Sequence, residues 1–378
     1  MRILFPVGSF YPAQTGGPDN TVYWLTKALK RAGHDPVISS TDKGLSSDVP
    51  REQWLDKIYG RVIYRHNPIH YLPIKTVMSG SKVLADVDVL HLTMITYPAA
   101  WLSALLNGRK LRKPIVWSVR GDLDPQMLTR SARKKAAVIN LVKKIEKNQN
   151  VTFHTTCKEE TAYVKAAIGG HVKTLQIPNY MELPSQVFKT RERKFLFLGR
   201  IDKKKGLENL LEAISQCDSF RQNGFHLDIA GDANNRYGQS LKDLCERLGL
   251  SDIVHFLGQV EGETKEELLA SSHCLVMPSH TENFGIVVSE GLAQGTPAIA
   301  SKGTPWSILP QEGIGWWTEN DPNSLQQCIE KAMALTPAAF EEMSKNAVAI
   351  ARREFDIHAR ISEWTKAYSK ITKTIRSS

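Results

Sequence analysis

The chain has 378 residues, 42% of them hydrophobic and 23% charged, with a net charge of +10. That length is generous for one core and comfortable for two domains, and the composition is ordinary for a soluble globular enzyme. The positive excess is too mild for a nucleic-acid tail; it suits phosphorylated substrates, an anionic membrane surface or plain solubility.

No apolar run approaches the roughly 20 residues that a membrane span needs. Arg2 to Val7 reads directly as a strand, without signal-peptide architecture. A glycine-rich loop, Gly8 to Pro18, follows, and Asp19-Asn20 can cap a helix with Val22, Trp24, Leu25, Ala28 and Leu29 at helical spacing. Pro36 to Ile38 is the next strand. This β-loop-α-β opening suits a nucleotide-binding fold, but it has no G-x-G-x-x-G after the strand, so a nicotinamide fingerprint is not supported. Residues 40–60 are polar and read as irregular. Strands at 62–64, 88–92, 114–118 and 151–155 then alternate with helices near 71–85, 98–107 and 131–149, which predicts a parallel, doubly wound sheet. Lys173 to Ile177 is the last strand of this half, and the Pro-bearing, charged stretch 178–192 reads as a linker.

Two features of the first half bear on chemistry. Val119-Arg120-Gly121-Asp122 follows a strand end, where Arg120 can meet a phosphate or an acidic acceptor, or take part in a structural ion pair. Asp122 and Asp124 form a D-x-D, but nothing nearby supplies the rest of a metal site, and no metal is assigned. The stretch 130–147 carries Arg130, Arg133, Lys134, Lys135, Lys143, Lys144 and Lys147 among apolar residues. It is either a solvated face over a buried stripe or a surface for anionic lipid.

In the second half, strands are expected at 195–198, 225–230, 253–257, 274–277 and 298–300, with helices from Leu207, over 264–271 and over 284–293. Residues 323–378 read as helical, with Phe355, Ile361, Trp364, Tyr368 and Ile371 mostly at helical spacing in the last segment. After the strand at 195–198 comes Gly199-Arg-Ile-Asp-Lys-Lys-Lys-Gly206. Arg200 can grip phosphate oxygens in pairs, and Lys205 offers a mobile point charge. After the strand at 274–277, Glu282 sits at the strand mouth and Glu290 in the following helix, with Gly285 permitting close backbone approach. A diphosphate suits the helix start, and carboxylates suit sugar hydroxyls. Gly303-Thr304-Pro305 can touch phosphate or simply turn. The five cysteines, Cys157, Cys217, Cys245, Cys274 and Cys328, are scattered and form no metal-like cluster, as expected of reduced thiols in the cytoplasm.

The order strand, Pro-Ser, Glu282, Asn283-Phe284-Gly285, apolar helix, Glu290-Gly291, Gly295-Thr296-Pro297, strand resembles the sugar-nucleotide signature of family 4 glycosyltransferases. The resemblance spans nearly the whole chain and is strongest from 195 to 305. It implies the GT-B fold: an α/β protein with two doubly wound Rossmann-like domains facing across a cleft, and a C-terminal helix that crosses back to the first. The domains would be 1–180 for the acceptor, with 358–378 packed on it, and 190–357 for the sugar nucleotide. It further implies a retaining, metal-independent transferase with no cofactor beyond the nucleoside-diphosphate sugar itself. Arg200 and Lys205 would offset the charge of the leaving diphosphate, Glu282 would hold the donor sugar and Glu290 the ribose. Gly16, Gly17, Gly199, Asn283, Phe284, Gly285 and Ile286 would complete the donor site, and Gly258 to Val260 would lie near the base. Two positions depart from the family pattern: Arg120 stands where relatives often have a histidine, and Tyr180 where they often have a glycine. The implied acceptor is a glycan or lipid-linked saccharide of bacterial surface polysaccharide or lipopolysaccharide synthesis, with peripheral contact at the inner membrane face left open and no nucleic acid involved. A sugar-nucleotide epimerase shares the architecture, but the Glu282/Glu290 arrangement favours transfer. A non-catalytic partner subunit would be expected to have lost Arg200, Lys205 or Glu290, and all three are present.

Overall fold

The structure, a computed structural model, describes residues 1–13, 17–69, 71–129, 131–282 and 284–376. Its chain divides into two compact units, Met1–Glu182 with Ile357–Ser378, and Leu183–Asp356.

In chain order the first unit contains β1 (Arg2–Val7), α1 (Gly17–Arg31), β2 (Asp35–Thr41), β3 (Trp54–Lys57), β4 (Gly60–Arg65), α2 (Ile74–Val83), β5 (Val89–Thr93), α3 (Pro98–Lys110), β6 (Ile115–Ser118), α4 (Pro125–Thr129), α5 (Ala132–Asn148), β7 (Val151–Thr155), α6 (Lys158–Ala167) and β8 (Lys173–Gln176). The second contains β9 (Lys194–Leu198), α7 (Leu207–Ser215), α8 (Asp218–Gln222), β10 (His226–Ala230), α9 (Arg236–Arg247), β11 (Val254–Gly258), α10 (Gly262–Ser271), β12 (Cys274–Met277), α11 (Ile286–Ala293), β13 (Ala298–Ser301), α12 (Ile308–Gln311), β14 (Gly315–Thr318), α13 (Pro322–Met333) and α14 (Pro337–Ile350). The last helix, α15 (Ile357–Arg376), belongs to the first unit.

The first sheet has the order β3-β4-β2-β1-β5-β6-β7-β8 and is parallel except for β3 against β4. Apolar β1 lies inside it, and its alternate residues face opposite cores. Ile3, Phe5 and Val7 meet α1 and α15, while Leu4 joins Leu90, Leu92 and Trp117 on the other side.

A buried polar chain fixes α15 to this sheet. Ser118 Oγ lies 2.7 Å from both His91 Nε2 and His154 Nδ1, Tyr368 Oη lies 2.6 Å from His91 Nδ1, and His154 Nε2 lies 2.8 Å from the Ile177 carbonyl. With both imidazoles neutral, one proton arrangement satisfies every link. His154 Nε2–H must donate to the carbonyl, so Nδ1 accepts from Ser118; Ser118 accepts from His91 Nε2–H, and Tyr368 donates to His91 Nδ1. Burial holds His154 down at about 3 and His91 well below its ordinary range, and the Arg120 charge pushes both the same way. Trp364 covers the two rings, at 5.3 and 4.6 Å between centroids.

Several sequence expectations need correction. The 40–60 region is not wholly irregular: Trp54–Lys57 pairs antiparallel with β4, a strand too short and too exposed to show alternation. Asp19 and Asn20 lie inside α1, which starts at Gly17, rather than capping it. Phe355 closes a π-helical turn over Ala351–Phe355 and packs in the second unit, apart from α15. The expected linker, 178–192, does hold the division between the two units, and residues toward both its ends are packed. Tyr180 and Met181 are core residues of the first unit, while Arg191 donates to the carbonyls of Leu269, Ser272 and Gln294 in the second.

The second sheet, β11-β10-β9-β12-β13-β14, is parallel throughout. Its order reverses between β9 and β12. In open α/β sheets, ligands bind at the carboxyl ends of the strands flanking such a reversal.

Candidate active site

The loops after β9 and β12 meet at that switch point. Asp202 accepts from the Lys204 N–H at 3.0 Å and starts a tight turn, which Gly206 ends in the left-handed region at φ +59°. A Cβ on Gly206 would lie 2.3 Å from the Pro278 carbonyl oxygen, so only glycine lets the loops come this close. The His280 N–H donates to the Lys204 carbonyl at 2.8 Å, and the Glu282 N–H to the Gly303 carbonyl at 2.9 Å. This framework brings the Lys205 ammonium onto Glu282 Oε2 in an ion pair. Both side chains stay reachable, at 16% and 23% exposure. Gly285, at φ +79°, then opens α11; a side chain there would strike Met277 Sδ at 2.5 Å. The first N–H groups of α11, with the positive end of its dipole, thus lie next to the Lys205–Glu282 pair.

Glu290 lies in the second turn of α11, 8% exposed, and takes a 2.7 Å ion pair from Lys265 of α10. Sequence reading missed Lys265. It lies in a charged stretch of α10, and only the packing of α10 on α11 picks it out. Gly199, Gly231 and Gly258 lie at the ends of β9, β10 and β11. Gly199 N–H donates to the Ala230 carbonyl, Gly231 N–H to the Gly258 carbonyl, and a Cβ on Gly231 would lie 2.1 Å from the Gly199 oxygen. Backbone therefore lines this end of the sheet.

Other expected residues are placed differently. The Arg200 side chain is 88% exposed, 3.9 Å from Asp202, and is not gathered with Lys205 and Glu282. Phe284 turns its ring into the core, 5.2 Å from Trp306 and 5.8 Å from Phe355, leaving only its backbone toward the loop. Ile286 is the half-buried first residue of α11. Thr304 bonds back to the Ser301 carbonyl through both N–H and hydroxyl, a turn closed on itself. Asn283 lies outside the described residues.

A neighbouring polar cluster also escaped the sequence reading. Asn320 donates to His280 Nδ1 at 3.0 Å, so His280 carries its proton on Nε2, 3.4 Å from Glu208, which also accepts from Tyr237. Asn320 Oδ1 is buried without a partner.

In the first unit, Gly17 begins α1, and Gly16 lies outside the described residues. Arg120 takes a left-handed backbone, φ +57°, ahead of Gly121. It donates to Asn179 Oδ1, while its Nε is enclosed with no partner. Burial pulls this guanidinium down to about 10, against the opposing effect of Glu160. Glu160 is itself held by the Gly121 and Thr156 N–H groups, each at 2.6 Å, and makes no ion pair with Arg120. Arg120, Asn179, Thr21 and Trp364 line a small pocket in this unit. Asp122 is buried and accepts from the N–H and hydroxyl of Thr96, both at 2.8 Å, which ties together the loops after β5 and β6. The basic stretch forms α5, with Val142 and Ile145 turned inward and Lys143, Lys144 and Lys147 in solvent.

Residues 182–352 match the family of glycosyl transferases, group 1. An uncharacterized glycosyltransferase of Methanocaldococcus jannaschii is 35% identical over 145 residues, 38% of this chain and 36% of that protein. The aligned stretch is thus about a third of that relative's length. Sucrose-phosphate synthase from Thermosynechococcus elongatus aligns over 99% of both chains with a TM-score of 0.77 at 21% identity. HepE of Anabaena, in complex with UDP and glucose, aligns over 97% of this chain and 100% of its own with a TM-score of 0.72 at 18% identity. The fold is GT-B, and the group 1 match covers the unit that holds Lys205, Glu282 and Glu290.

Proposed function

We propose that this chain is a retaining, metal-independent glycosyltransferase that moves a sugar from a nucleoside-diphosphate sugar to a hydroxyl acceptor. The observation that carries the reading is the Lys205–Glu282 pair at the β9/β12 switch point, set against the start of α11. A diphosphate arriving there competes for the Lys205 ammonium, with the helix start supplying further positive potential. Glu282, released from that partner, turns to the donor sugar's hydroxyls. Glu290 does the same for the ribose when Lys265 swings toward phosphate. Arg200, exposed at the rim of the same turn, has the reach to add paired contacts to phosphate oxygens.

Glu282, engaged with the donor sugar's hydroxyls, is not assigned as a covalent nucleophile. Transfer on one face follows: the bond from C1 to the diphosphate oxygen breaks, the bond from C1 to the acceptor oxygen forms, and the acceptor proton passes to the departing diphosphate. The diphosphate's new charge falls on Lys205 and the α11 start.

The acceptor belongs to the first unit, where Arg120 offers an unmet N–H donor to an acidic or phosphorylated group. A glycan or lipid-linked saccharide of bacterial surface polysaccharide or lipopolysaccharide synthesis fits, by analogy with fold relatives. In α5 Val142 and Ile145 pack inward, so another segment supports peripheral membrane contact better. It is the stretch holding Ile69, Tyr71, Leu72, Ile74 and Met78, all exposed, with Tyr71 at 83%. No helix among the described residues is long and apolar enough to cross a membrane.

The test is release of nucleoside diphosphate from a panel of sugar nucleotides in chelator, with and without a lipid-linked saccharide. Acceptor-dependent release that Lys205→Ala abolishes is the expected result. Isomerised sugar without acceptor would point to an epimerase, and loss of activity in chelator would return metal to the account.

A further inference from the structure

At the other end of the second sheet, three side chains converge that transfer does not use. His226 and Asp228 are two residues apart on β10 and share one face, while Leu227 and Ile229 between and beyond them enter the core. The strand register sets His255 of β11 directly beside Asp228. His255 Nδ1 lies 3.1 Å, and His226 Nε2 3.8 Å, from the same Asp228 oxygen, Oδ1. All three candidate ligand atoms lie within 4.8 Å of one another. Ligands on a tetrahedral zinc ion, each about 2.0–2.1 Å from the metal, are roughly 3.4 Å apart. The two distances to Oδ1 bracket that spacing.

The surroundings suit a cation. Asp228 is buried, and its second oxygen lies 4.0 Å from the Lys194 ammonium, which orients the carboxylate from behind as outer partners of metal ligands do. Lys194 is in turn held by Ser271 Oγ at 2.9 Å and Glu192 at 3.2 Å, so a carboxylate offsets its charge. The imidazole rings are tilted by 47° with centroids 5.3 Å apart, so they are not stacked on one another. His255 is exposed, which leaves an open path and room for water ligands.

We propose that His226, Asp228 and His255 bind a divalent transition-metal ion, with zinc the best match, bracing β10 to the edge strand β11. Two imidazoles and one carboxylate favour zinc, cobalt or nickel over magnesium or calcium, which prefer all-oxygen sites. His226 begins β10, whereas Lys205 and Glu282 follow the carboxyl ends of β9 and β12. The site is therefore separate from the transfer chemistry.

Tag-free full-length protein, stripped with chelator, is titrated with Zn2+ by calorimetry and with Co2+ by visible absorption. One saturable Zn2+ per chain, a raised thermal midpoint and Co2+ bands from a low-coordinate site are expected, with no response to Mg2+. His255→Ala and His226→Ala should each weaken Zn2+ binding by at least the roughly ten- to hundredfold that losing an outer partner of a metal ligand costs, while their midpoints in chelator stay at the wild-type value. No saturable uptake by the wild type, or equal Zn2+ binding by both variants, would overturn the proposal. Because the readouts are metal binding and stability, they stand apart from the outcome for glycosyl transfer.

Discussion

The two sheets handle polar groups near their carboxyl edges in opposite ways. At the carboxyl edge of the second sheet, Lys205–Glu282 and Lys265–Glu290 are charged pairs whose side chains keep between 11% and 27% of their exposure. Near the same edge of the first sheet, Tyr368, His91, Ser118 and His154 form a buried chain with both histidines held neutral. A reachable ion pair can trade its partner for a ligand's charge. A buried neutral chain cannot, since breaking any link leaves an unpaired group out of water. The carboxyl edge of the second sheet is therefore arranged for exchange and that of the first for holding shape, while Arg120 Nε, like Arg65 Nε and Trp101 Nε1, is an enclosed donor without a partner.

The largest effect expected from this contrast is on turnover. Lys205→Ala should cut kcat by about 10²–10³, the range for losing one charge-stabilising group, and Lys205→Arg should recover part of it. Steady-state rates decide this, and wild-type turnover in Lys205→Ala would end the exchange reading. Next comes acid stability of the first unit. An unfolded histidine takes a proton near pH 6.5, whereas native His154 resists until about 3, so the unfolded state binds more protons between those values. Stability contributed above pH 6.5 is lost as pH falls, by about 2 kcal/mol at pH 5 for His154 alone, and His91 acts in the same direction. Denaturant melts at pH 7 and 5 should show this slope, and His154→Gln should flatten it.

Third is the backbone. Gly206→Ala adds a Cβ 2.3 Å from a carbonyl oxygen as well as left-handed strain, about 1–3 kcal/mol. Gly249→Ala, at φ +66° with nothing within 4 Å, carries the strain alone and should cost less. Equal melting midpoints for the two would mean that the loops are not held together as described. Glu290→Ala should weaken nucleotide binding by about tenfold, or ~1.4 kcal/mol, measured by calorimetry. Smallest is Arg120→Met: nucleotide affinity should hold while KM for the acceptor rises a few-fold.

What was legible in the sequence follows the same division. Lys205, Glu282, Gly285 and Glu290 each follow a strand within about a dozen residues, and the strand order brings β9 beside β12, so short motifs sufficed. The Lys265–Glu290 pair depends on one helix packing on another, which no local pattern records. The histidine chain joins residues 91, 118, 154 and 368, and only the register of three strands under α15 brings them together. Phe355 looked like part of the final helix because a π turn inserts an extra residue into the helical period. Arg120 looked accessible because it follows a strand end, but its left-handed backbone is followed by an enclosed Nε.

If the charged pairs of the second unit form a sugar-nucleotide site, nucleotide binding must stabilise the folded chain. Thermal stability of the purified protein against UDP-, GDP-, ADP- and CMP-sugars in chelator tests it most directly. One nucleotide should raise the melting midpoint selectively, and Glu290→Ala and Lys205→Ala should both diminish the shift. An undiminished shift in those variants, or no shift from any sugar nucleotide, would contradict it.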